Sequence, residues 1–125
     1  MREIKFRAWN GHKMRYSVNI DHGQAVRYGY QWFNTDNDIR EAEPMQFTGL
    51  HDKNGVEIYE GDIVRSKGKP LSKVVFSKKA AKFCIQSYRM NPYNKMTKRV
   101  YSILSCEVVG NIYENPELLN RESLR

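Results

Sequence analysis

Apolar and polar residues alternate along this chain in short bursts, each closed by a turn signal. In "REIKFRAWN", apolar Ile4, Phe6 and Ala8 alternate with charged Glu3, Lys5 and Arg7. That period of two predicts a strand with one face in a core. Asn10-Gly11 follows, a dipeptide that accepts positive φ at both centres of a tight turn. Met14, Tyr16 and Val18 then alternate again, so residues 2–9 and 12–18 are expected to form a hairpin. "MQFTGL" is a further strand. "HDKNG" is a loop in which Asn54-Gly55 supplies left-handed φ. "VEIYEGDIV" sets Val56, Ile58 and Tyr59 around a short strand before Glu60-Gly61-Asp62 turns the chain into Ile63-Val64.

The second half repeats the pattern. "SKGKP" is a basic loop, and "LSKVVFS" and "AKFCIQSY" are strands. "RMNPYNKMTKR" is a polar loop with turn chemistry at Asn91-Pro92, and "VYSILSCEVVGNIYE" supplies one or two closing strands bent at Gly110. Short strands at a spacing of about 8–12 residues argue for a small barrel or sandwich. Asn115-Pro116-Glu117 predicts a helix start, with Asn as N-cap, Pro at the first helical position and Glu in the first turn. Leu118 and Leu119 are then free to pack back. Between Asp21 and Glu43 the pattern is weaker. "GQAVRYGYQWF" is apolar without clean periodicity, either one strand or a strand broken at Gly29, and "NTDNDIREAEP" reads as a loop or one helical turn.

The chain is 125 residues long, and 40% of them are hydrophobic and 28% charged. This is the balance of a single globular domain, not of a disordered chain. A hairpin region over 1–45 and a barrel with a C-terminal helix over 46–125 are the natural subdivisions. No apolar run reaches the roughly 20 residues that span a bilayer. No apolar segment follows the charged N-terminus as a secretory signal requires. A cytoplasmic protein without a membrane partner is expected. The two cysteines, Cys84 and Cys106, are too few for a disulfide scaffold, and each sits among alternating apolar residues as a small hydrophobe would.

Charge changes the picture more than composition does. The net charge is +7, but from Ile63 to Cys106 there are 11 Lys and Arg residues and no acid. The rest of the chain is slightly acidic. A basic block of this kind suits a polyanionic partner. Phe76, Phe83, Tyr88, Tyr93 and Tyr101 are interleaved with it and could stack on unpaired bases where exposed. Against this, Phe76 and Phe83 lie in alternating strands and are expected in the core, and lysines also guard exposed strand edges. Lys67, Lys69, Lys78, Lys79 and Lys82 are the candidate nucleic-acid contacts.

Other chemistry finds little support. His12, His22 and His51 lack metal-ligand spacing with one another or with the cysteines, and no Cys-x-x-Cys occurs. Asn34, Asp36 and Asp38 begin like a calcium loop, but its sixth position is Ile39 and its twelfth is Met45. Asp52, Glu57, Glu60 and Asp62 could pair for acid–base work. Asp52 and Asp62 are better read as turn residues bonding to backbone N–H groups, and Glu57 and Glu60 as the exposed face of a strand. No phosphate loop, nucleophile elbow or dinucleotide fingerprint is present. The expectation is a non-enzymatic protein with no cofactor and no metal.

Three blocks, "REIKFRAWN", "QFTGLHDKNGVEIYEGDIV" and "VVGNIYENPELL", together resemble the YopX family of phage and prophage proteins. They occur in the family's order and bracket nearly the whole chain. Tyr28 to Pro44 matches no family block. The resemblance implies a bacterial or phage origin and a β-dominated domain whose second half looks like an SH3-like barrel. It implies no activity and assigns no catalytic residue. An accessory protein that works by binding is therefore expected. One reading is a nucleic-acid partner on the basic segment. The other is an adaptor to a host or phage protein, or a homo-oligomer, using a sheet edge or the aromatics Tyr28, Tyr30, Trp32 and Phe33.

Overall fold

A computed structural model describes residues 3–21, 24–26, 43–90, 96–103 and 105–123. The chain falls into two compact units, Met1–Gly49 and Leu50–Arg125.

In the first unit β1 (Phe6–Trp9) pairs antiparallel with β2 (Met14–Tyr16) on one side and with β5 (Met45–His51) on the other. The expected hairpin forms, but its turn differs from the two-residue type. Trp9 faces Met14 in the register, so four residues make the connection. Only Gly11 takes positive φ, at 95°. Asn10 is buried, and its side-chain oxygen accepts the N–H groups of His12 and Lys13 at 2.8 and 2.9 Å. The Asn side chain holds the turn in place of a second left-handed residue. The predicted alternation also breaks down in part. Ala8 is fully buried, but Arg7 is only 3% exposed and Ile4 is exposed. Both faces of β1 are covered, so the strand lacks the solvent side that a period of two suggests. β3 (Asn19–Asp21) pairs antiparallel with β4 (Gln24–Val26). The possible break at Gly29, the acidic stretch after it and the aromatics Tyr28, Tyr30, Trp32 and Phe33 lie outside the described residues.

In the second unit the Asp52–Val56 turn reverses the end of β5 into β6 (Glu57–Tyr59). β7 (Asp62–Arg65), β8 (Ser72–Ser77), β9 (Lys82–Met90) and β10 (Met96–Ser102) follow as an antiparallel meander. β11 (Glu107–Asn111) returns to pair with β7, giving the order β10-β9-β8-β7-β11. A meander whose first strand also takes the last is the order of an SH3-like barrel, as expected. The polar loop expected at 89–99 is much shorter. Arg89 and Met90 complete β9, and β10 begins at Met96. Backbone pairing in the ladder takes precedence over the polar character of this sequence. Ile58, Val64, Val74, Ile85 and Cys106 form the core, with Tyr101, Ile103 and Val108 packed against it.

The predicted bend at Gly110 is a shift of register between Val108 and Gly110. A single helix is present among the described residues, α1 (Pro116–Ser123), and it packs along β9. It starts at Pro116 as expected, but Asn115 does not cap it through its side chain. The Asn115 oxygen turns back to accept the N–H of Asn111 at 3.2 Å.

Candidate nucleic-acid interface

The stretch from Phe47 to Val64 is built around a set of backbone joints. Gly55 supplies the left-handed residue of the Asp52 turn, with φ of +85°, and Asn54 does not. Asp52 Oδ1 accepts N–H groups from Asn54 and Val56 at 2.8 and 2.9 Å, inside its own turn. Its other oxygen accepts the N–H of Val108 at 2.9 Å, from a strand 56 residues further on. These N–H donors, Val108 foremost, hold the Asp52 carboxyl below its ordinary pKa despite the opposing effect of burial. Asp62 Oδ2 accepts the N–H of Tyr59 at 2.8 Å. Gly61, between these carboxylates, donates to Val74 O and accepts from Ile112 N, each at 2.9 Å. Asp52 and Asp62 are thus occupied as turn residues, as their positions suggested. Glu57 and Glu60 are half-buried, not on an open face, and the Tyr59 hydroxyl lies 3.5 Å from Glu57 Oε1. Among the described residues, no three His, Cys, Asp or Glu side chains gather as metal ligands.

The basic block has a different geometry. β8 and β9 are joined by Lys78–Ala81, and the hairpin outruns its neighbours. The β7–β8 register covers Ile63 opposite Lys73 and Val64 opposite Ser72. The β9–β10 register stops at Cys84 opposite Ser102. Beyond these points Phe76 faces Phe83 and Ser77 faces Lys82 in a two-stranded tip. Val74 and Ile85, on the same face of these strands, are buried in the core. Two positions further out the core has ended. Phe76 is 47% exposed, and Phe83 is half-buried beneath it, with ring centroids 5.2 Å apart and planes at 78°. The expectation that both aromatics are core residues is therefore corrected. The alternation is as predicted, but the strands extend past the layer that would cover it.

Lys78, Lys79 and Lys82 are exposed around this tip. Ser77 Oγ accepts the N–H of Ala80 at 3.1 Å and Ala81 takes positive φ of 55°, which places the two lysines on the outer corner of the turn. Lys82 Nζ lies 3.3 Å from Ser102 Oγ. Lys67 and Lys69 sit in the β7–β8 turn, at the other end of β8, a strand roughly 17 Å long. Lys67 is exposed. Lys69 is half-buried, with its ammonium 5.1 Å from the centroid of Tyr101. The five lysines therefore form two groups, and the tip gathers three of them. Among the described residues, Lys67, Lys78, Lys79 and Lys82 meet no carboxylate, whereas Arg65 lies 3.4 Å from Glu107. Lysines and aromatics alone do not reveal this tip in the sequence. The tip follows from where β7 and β10 stop pairing with this hairpin, which is a matter of register across the sheet.

The second unit defines a small strand-dominated domain with a barrel-like strand order and a short C-terminal helix. The chain belongs to the YopX family: the family's model, described as YopX protein, matches residues 5–120. A crystal structure of protein EF1440 from Enterococcus faecalis is similar over 95% of this chain and 99% of that one, with a TM-score of 0.58 and 23% identity. At that identity the likeness speaks for the fold alone. No curated protein matches the chain. No helix among the described residues is long and apolar enough to cross a membrane.

Proposed function

We propose that this YopX-family protein is a non-enzymatic binding protein that holds nucleic acid by its phosphates, with the β8–β9 tip as the principal contact. The observation that carries the reading is the tip itself: Lys78, Lys79 and Lys82 exposed around one turn, inside a segment of 11 basic residues and no acid. Lys and Arg that neutralise phosphates release condensed counterions, and this supplies affinity without reading sequence. An acid-free hairpin spends none of its charge on internal ion pairs. The role is that of a phage or prophage accessory protein inside a bacterial cell, in keeping with the family resemblance.

Fluorescence anisotropy with labelled DNA and RNA across a salt series tests this. Log affinity should fall linearly with log salt, by about 0.9 per phosphate contacted on duplex DNA and about 0.7 on a single strand. Reversing Lys78 and Lys79 to Glu should weaken binding to all sequences alike and flatten the slope. Absence of binding at low salt would reject the reading. Binding that survives the double reversal would move the contact away from the tip.

A further inference from the structure

We infer that the β8–β9 tip is built for single-stranded nucleic acid, with Phe76 as the platform on which an unpaired base stacks. The inference rests on the nucleic-acid reading above and names the substrate class. Lysines alone would serve a duplex equally well. The aromatic pair does not. Phe76 is 47% exposed although it belongs to the face that carries the core residues Val74 and Ile85. Burial of the whole ring would be favoured by about 25 cal/mol for every Å² removed from water, and the exposed part of Phe76 is open to cover by a stacked base.

A second aromatic supports it. Phe83 meets it edge-to-face, directly across the ladder, and the four-residue turn beyond is closed by the Ser77–Ala80 hydrogen bond. The ring is thus held from one side and open on another. Lys78 and Lys79 lie two and three residues along the chain, and Lys82 is next to Phe83 in sequence. Three exposed lysines thus flank the aromatic pair along the chain, and they are the groups available to the phosphates on either side of a stacked base. In a duplex the base faces are covered by their neighbours in the stack. Only an unpaired strand can offer a base to Phe76. The stacking is sequence-tolerant, since every base has a π-face.

The test compares a labelled single strand with a duplex of the same sequence, for the wild type and for Phe76→Ala, Phe76→Leu and Phe76→Trp. The wild type should prefer the single strand. Phe76→Ala should weaken single-strand binding by roughly 5- to 150-fold, the range that loss of one base–aromatic stack gives. Its residual duplex binding and its salt slope should stay as in the wild type. Phe76→Leu should behave like the Ala variant, and Phe76→Trp should retain or improve affinity. An unchanged melting temperature would show that the fold is intact. Equal binding of the single strand by wild type and Phe76→Ala, or a duplex preference in the wild type, would overturn the inference and leave phosphate binding standing. No binding of either nucleic acid at low salt would overturn both.

Discussion

The carboxylate of Asp52 accepts a hydrogen bond from the backbone N–H of Val108 at 2.9 Å while its second oxygen closes the turn that Asp52 begins. One buried side chain thus ties the β5–β6 turn to the start of β11. The adjacent peptide reinforces the link, since Lys53 N donates to Cys106 O at 3.0 Å. Removing the carboxylate leaves three N–H groups without their acceptor. Asp52→Ala should destabilise the second unit by about 3 kcal/mol or more, because hydrogen bonds to charged groups contribute about 1.5–3 kcal/mol each and do not add fully. Asp52→Asn keeps one acceptor oxygen and should cost less. Urea denaturation at neutral pH measures both.

The same carboxylate makes stability depend on pH. Its pKa is lowered in the folded protein, chiefly by the Val108 N–H. The folded state therefore favours the ionised form. Its contribution is fully present above the unfolded value of about 3.9 and is lost as pH falls through the lowered folded value. The stability gap between wild type and Asp52→Asn should be constant from pH 5 to 7 and shrink on further acidification. A gap that widens below pH 4 would contradict the assignment.

Gly110 is a second joint. A Cβ there would lie 2.5 Å from Asn115 Oδ1, and 2.7 and 3.0 Å from the next two atoms of that side chain. Gly110→Ala should displace Asn115 from Asn111 and cost about 1–3 kcal/mol, as overpacking does. The cost should shrink markedly in an Asn115→Gly background, where the obstructing atoms are gone. A double-mutant cycle read by thermal melting gives the coupling.

Gly55 tests backbone strain in isolation. A Cβ at this position would meet no atom within 4 Å, yet φ is +85°. Gly55→Val should therefore destabilise by about 1–3 kcal/mol through conformation alone. Gly55→Asn, which tolerates left-handed φ, should cost less. Equal melting temperatures for wild type and the Val variant would refute the turn geometry.

Cys84 and Cys106 are both buried, each 2% exposed, and are not disulfide-bonded. Burial pushes the Cys106 thiol pKa up, and the nearby charges of Asp52 and Asp62 add to the effect. The thiolate is the reactive form. Neither cysteine should react with a thiol reagent in the native protein, and both should react on addition of urea. Rapid native labelling followed by mass mapping would show which burial is wrong.

The sequence by itself determined several of the strands, the places of the turns and the start of the helix. Period-two alternation placed β1, β5, β8 and β9, because side-chain direction in a strand follows position alone. Glycine marked Gly55 as left-handed and Gly61 as part of a turn, because no other residue adopts positive φ so cheaply. Pro116 marked the start of the helix for an equally local reason. What lies across space had no local signal. That Asp52 serves Val108 as well as its own turn depends on β11 returning to β7, a pairing of segments more than 40 residues apart. The turn back of Asn115 onto Asn111, instead of onto the helix, depends on the close approach at Gly110. Alternation likewise put Phe76 and Phe83 on the core face, but whether a core exists at that height depends on where β7 and β10 stop pairing. Side-chain direction is a property of the strand. Burial is a property of its neighbours, and only the tertiary structure decides it.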